Sequence, residues 1–136
     1  MRTSMNVTRV IIRLVGSVLI VLGVLFWTGN ALALIPVHML LGILVVLSLW
    51  TLALLSARAS ERPGLVALAI GWGLIVPILG LTQDQLLPGP AHWIIKVLHL
   101  LVGVGAIGLA EVLARRALAR LAYTRPEPVA QPVHGG

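Results

Sequence analysis

The sequence has no cysteine, which excludes disulfides, thiolate metal sites and cysteine catalysis. Carboxylates are nearly as scarce: Glu61, Asp84, Glu111 and Glu127 stand against ten Lys and Arg. Aromatic residues are few as well, with four Trp, one Tyr and one Phe in 136 residues. Charged residues make up 10% of the chain, where soluble domains carry roughly 25%. Between Leu14 and Ala57, a run of 44 residues, there is no Asp, Glu, Lys or Arg at all. So little charge cannot cover a water-facing globule. What is there instead is hydrocarbon: 59% of the residues are hydrophobic and the mean hydropathy is +1.05. One helical crossing of a bilayer takes about 20 apolar residues, so the uncharged run alone holds more than one span.

Cutting the chain at its turn signals leaves four apolar segments, about 11–27, 35–57, 64–81 and 91–114. The expected fold is all-α, an integral membrane up-down four-helix bundle of two tandem helical hairpins. Residues 1–115 form the membrane domain, and 116–136 a basic, Pro-rich tail that begins helical and becomes disordered. Thr28-Gly29-Asn30 and the stretch 82–90 carry no Lys or Arg, whereas 56–63 carries Arg58 and Arg62. With Arg2, Arg9, Arg13, Arg115, Arg116, Arg120 and Arg125, nine of the ten cations fall on one side of an up-down threading. The positive-inside rule makes that side cytoplasmic, with both termini in, and the net charge of +6 reads as a topology marker rather than a nucleic-acid footprint. Trp27 and Trp93 then cap the outer ends of the first and fourth spans. The expected setting is the inner or plasma membrane of a prokaryote. A basic start followed by an apolar stretch and Ala31-Leu32-Ala33 also fits the outline of a cleavable signal peptide. Against cleavage, the apolar segment is long for a signal core and takes part in a repeat.

That repeat pairs Val37-His38-Met39-Leu40-Leu41-Gly42 with Leu98-His99-Leu100-Leu101-Val102-Gly103, at an offset of 61. On the first and third spans the heptad-spaced pairs Gly16/Gly23 and Gly73/Gly80 match at an offset of 57. Two hairpins in tandem enter the membrane in the same orientation, which makes the second and fourth spans equivalent and parallel. Helices rich in Leu, Val and Gly align easily by chance. The weight lies in the repeated placement of a costly histidine with a glycine four residues on.

An imidazole in hydrocarbon loses its hydrogen bonds to water, so intramembrane histidines are candidates for function. His38, His92 and His99 lie toward the outer half, with Lys96 three residues before His99, and His134 lies in the tail as a solvated residue. Two neutral imidazoles on facing helices can ligate a metal, and an iron porphyrin suits an apolar bundle because its ring fills the gap between helices. Gly42 and Gly103, each one turn beyond a histidine on the same face, remove side chains that would collide with such a ring. Lys96 is placed to neutralise an anionic propionate.

On these residues the chain resembles membrane-embedded b-type cytochromes, whose four-helix cores hold heme between histidines on parallel, non-adjacent helices. The resemblance covers the His-x3-Gly segments and the bundle architecture. It implies a small electron-transfer protein with His38 and His99 as metal ligands to one heme b near the outer face. Gly42, Gly103 and Lys96 would complete the cofactor-binding site, with a quinone or a membrane oxidoreductase as redox partner. The chain departs from the commoner two-heme pattern, because Trp50 and Glu111 occupy the inner positions, so one heme at most is implied.

Several alternatives stay open. His38, close to Pro36, suits an interfacial residue bonded to water or loops, and His92 suits the same place. Lys96 can snorkel to the surface. Glu111 is most simply an intrahelical ion pair with Arg115. His38 lies 20 residues from Arg58 but His99 only 16 from Arg115, about 6 Å in depth, which helix tilt or uneven arginine depth must absorb; otherwise His92 replaces His99 as the partner of His38. A cofactor-free structural or accessory subunit of a membrane complex, or a small transporter working as a homo-oligomer through His99, Lys96 and Asp84, would need no heme.

Overall fold

In the computed structural model, which describes residues 1–123, the apolar segments are helices and the breaks between them are short turns. The four helices are α1 (Arg2–Trp27), α2 (Ile35–Arg58), α3 (Pro63–Thr82) and α4 (His92–Tyr123). Two single 3-10 turns, Leu32–Leu34 and Gln83–Gln85, lead out of the connections at one end, and no strand forms among the described residues. All four helices are long and apolar enough to cross a membrane, which makes this a multi-pass membrane protein with an all-α four-helix bundle. Exposed Leu14, Leu40, Leu81 and Leu101 on its outer faces suit contact with lipid tails.

The helix ends follow local chemistry. At the end of α1, Gly29 adopts φ +78°, its N–H reaches the Phe26 carbonyl at 3.0 Å and Asn30 N–H reaches Leu25 at 2.8 Å. This two-bond cap uses a glycine where a left-handed residue is required. The end of α2 repeats it without glycine: Ser60 sits at φ 58°, with Ser60 N–H on Ala57 and Glu61 N–H on Ser56, both at 3.1 Å. Pro63 then opens α3, where a missing N–H costs nothing.

α1 begins nine residues before the apolar segment, and α4 runs to Tyr123, past residue 114 and through the first eight residues assigned to the tail. Apolar runs mark hydrocarbon, not helix. In the overhangs, buried Met5 on α1 and Ala117 on α4 face the core while the arginines stay outside. The rest of the tail lies outside the described residues.

Each helix packs on its sequence neighbours, α1 also packs on α4, and α2 touches α4 across the middle, while α1 and α3 make no contact. The cross-section is a rhombus with α2 and α4 on its short diagonal. Packing is uneven along the axis. Met5, Ile12, Leu49, Leu52, Leu113 and Ala117 build a dense core in the half nearer the termini. At the other end only Leu79, Ile95 and Val102 form a small cluster, and no residue of α2 before Val45 is buried. Two indoles tie the helices together at mid-depth: Trp50 Nε1 donates to Ile70 O at 3.2 Å and Trp72 Nε1 to Val102 O at 2.9 Å.

Candidate functional site

The loosely packed end is where the intramembrane histidines meet. His38 stands in the first turn of α2 and His99 two turns into α4, so the short diagonal carries both imidazoles toward one point. Their ring centroids are 6.3 Å apart with planes inclined at 45°. Nδ1 of each is buried without a hydrogen-bond partner. Such a nitrogen is costly in an apolar interior unless something binds it. Phe26 of α1 packs edge-on to His38 at 5.3 Å between centroids.

The expected depth mismatch disappears because Arg115 is not the level that matches Arg58. Arg120 Nη1 donates to Ser60 O at 2.7 Å, which sets α4 about one turn lower. Counted from that contact, His38 is 22 residues from Ser60 and His99 is 21 from Arg120.

Glycines surround the pair, in two roles. A Cβ on Gly80 of α3 would stand 3.1 Å from His99 Cε1, and one on Gly23 of α1 3.9 Å from His38 Cε1. A Cβ on Gly42 or Gly103 would meet nothing within 4 Å. The first two glycines admit the imidazoles; the second two border open space one turn deeper. The heptad partners also act alike in both halves, Gly16 lying against Ile107 of α4 and Gly73 against Trp50 of α2.

Lys96, one turn before His99 on α4, is half-buried and has no hydrogen bond or ion pair among the described residues. His92 is not in the site. Its Nδ1 lies 3.2 Å from Leu86 O, where it fastens the connection between α3 and α4, so it does not replace His99 as the partner of His38. Asp84 forms no ion pair with Lys96 among the described residues.

Charge at the far end is more connected than the sequence suggests. Glu111 does approach Arg115, at 3.5 Å, but it is held more closely by Arg9 at 2.8 Å and by Arg13, both on α1. The i,i+4 spacing to Arg115 signalled only the weaker contact. Glu61, with its side chain almost fully buried, accepts from Arg62 N–H at 3.0 Å and lies 3.4 Å from Arg120 Nη2. A cavity of about 490 Å³ bordered by Arg58, Ser60 and Arg120 opens at this end, remote from the histidines.

Among the described residues no three His, Asp or Glu side chains gather to hold a metal ion. The histidine pair supplies two ligands and no more, which is too few for a protein-only zinc site that takes about four. Gly23 and Gly80 carry no sequence signal of their own as histidine neighbours; only their place in the heptad-spaced pairs singles them out. The chain matches no protein-family model, and no curated protein or solved structure matches it.

Proposed function

We propose that the protein binds one b-type heme between α2 and α4 and serves in electron transfer in the membrane. The carrying observation is the approach of His38 and His99, two half-buried imidazoles whose Nδ1 atoms are buried without partners and whose centroids lie 6.3 Å apart. With metal–nitrogen bonds of about 2.0–2.1 Å, two imidazoles at this separation would both reach one metal. A pair of protein ligands suits a metal whose remaining positions are filled by a macrocycle. When bound, heme supplies a one-electron iron couple.

The chain's own residues have definable tasks. His38 and His99 would hold the iron, and Gly42 and Gly103 would leave room for the ring. Lys96, half-buried and unpaired among the described residues, would balance a propionate at the aqueous edge. Exposed Trp27 and Trp93 would mark that edge as the outer interface, with both termini and most arginines in the cytoplasm. A quinone or membrane oxidoreductase is the matching class of redox partner. The cofactor-free accessory subunit is the competing reading, favoured by the edge-on packing of His38 against Phe26, which a purely structural histidine would also show.

Visible spectra of protein purified in mild detergent, oxidised and then reduced with dithionite, separate the two. Heme held by both histidines gives a sharp reduced α-band, lost in His38→Ala and in His99→Ala and kept in His92→Ala. No α-band after heme supplementation, or an α-band that survives His38→Ala, refutes the assignment.

A further inference from the structure

The arginine cluster on α1 and α4 has more charge than its carboxylate can neutralise. Glu111 accepts from Arg9 Nε at 2.9 and 3.1 Å, from Arg13 Nη2 at 2.8 Å and from Arg13 Nε, with Arg115 Nε at 3.5 Å. One carboxylate offers about four lone-pair sites, whereas three guanidiniums bring about fifteen N–H donors. Three cations and one anion leave a net charge of +2.

The excess faces outward. The side chains of Arg13 and Arg115 are 50% and 69% exposed, against 16% for Glu111 and 23% for Arg9. Their depth is set by α4: from His92 to Glu111 is 19 residues, about 28 Å, close to the roughly 30 Å thickness of bilayer hydrocarbon. With His92 and Trp93 at one interface, the cluster falls at the other, where lipid phosphates lie. From Arg13 an exposed apolar strip of Leu14, Val18 and Val21 climbs α1 toward the bilayer centre, the direction an acyl chain takes from its headgroup.

We infer that Arg13 and Arg115, organised by Glu111 between α1 and α4, bind the phosphate headgroup of an anionic phospholipid. Arg9 also holds Glu111, and with Arg13 Nε and Nη2 and Arg115 Nε turned to that carboxylate, the outer guanidinium nitrogens of the two exposed arginines are the donors for phosphate oxygens. Basic sites between membrane helices recognise anionic headgroups on this principle. The site is independent of the heme.

Native mass spectrometry on the full chain, titrated with phosphatidylglycerol or chain-matched phosphatidylcholine, tests this. The wild type should prefer phosphatidylglycerol by about thirtyfold. Arg13→Gln with Arg115→Gln should abolish the preference, whereas Arg58→Gln with Arg62→Gln, an equal loss of charge elsewhere at this end, should keep it. If the first double variant does not fold, Arg115→Gln alone, which removes only the weakest Glu111 contact, should lower the preference about fivefold. Equal affinity for the two lipids in the wild type, an equal loss in both double variants, or an unchanged preference in Arg115→Gln overturns the inference. Displacement of the lipid by millimolar inorganic phosphate would reassign the site to a soluble anion and overturn it too.

Discussion

Filling the space beside the histidines distinguishes a bundle that holds a flat cofactor from one that only packs helices. At Gly42 and Gly103 a Cβ meets nothing within 4 Å, so alanine fits without displacing a neighbour. Glycine inside a helix is disfavoured by about 0.8–1.0 kcal/mol relative to alanine, so either alanine variant should stabilise the heme-free bundle by up to that amount. In a small domain this raises the melting temperature by roughly 2–8 °C. Leucine at either position extends three further carbons into the room proposed for the ring. Overpacking of this kind costs about 1–3 kcal/mol, which weakens heme binding about fivefold to a hundredfold. The assay pairs thermal melting of heme-free protein with heme titration followed at the reduced α-band. The expected result is higher melting for Gly42→Ala and Gly103→Ala together with weakened heme binding in Gly42→Leu and Gly103→Leu. Wild-type heme affinity in both leucine variants would refute the placement of the ring.

Other outcomes follow from single contacts. Gly105→Ala would set a Cβ 2.7 Å from Trp72 Cζ2, and that indole is pinned by its bond to Val102 O, so a loss of about 1–3 kcal/mol is expected in chemical denaturation. Gly16→Ala should cost less, because the close atom there is the terminal Cδ1 of Ile107; an equal cost would show that Ile107 cannot yield. Ser60→Gly should stabilise by about 0.5–1 kcal/mol by relieving a left-handed residue at φ 58°, and a destabilised variant would contradict the cap geometry. The chain has no native cysteine, so Asn30→Cys and Ser60→Cys, both at exposed positions, can be labelled singly in intact cells and in inverted vesicles. Asn30→Cys should react from outside and Ser60→Cys only in inverted vesicles; the reverse pattern would invert the topology.

The parts of the fold governed by hydropathy were legible in the sequence. Four spans, the polar breaks between them and the parallel pairing of the second and fourth helices all follow from where charge is missing and from the two His-x3-Gly segments. The approach of His38 to His99 follows from that pairing. The helix overhangs were not legible as spans, since Met5 and Ala117 stand among arginines that interrupt any hydropathy window. At Glu111 the intrahelical pair with Arg115 is present, but local spacing shows that partner alone, whereas α1 brings Arg9 and Arg13 from about a hundred residues away. The depth offset between His38 and His99 resolves as uneven arginine depth: the arginine of α4 that meets the end of α2 is Arg120, on Ser60, rather than Arg115. The glycines that touch the imidazoles are on α1 and α3, outside the motif itself, so only packing reveals them.

Electron paramagnetic resonance of the oxidised, heme-loaded protein, prepared with ¹⁵N-histidine and assayed for heme per chain, tests the central claim most directly. The account predicts one heme per chain and a low-spin ferric signal with hyperfine coupling to two imidazole nitrogens, lost when either His38 or His99 is replaced. A high-spin signal, coupling to one imidazole only, or an unchanged signal in His99→Ala would contradict it.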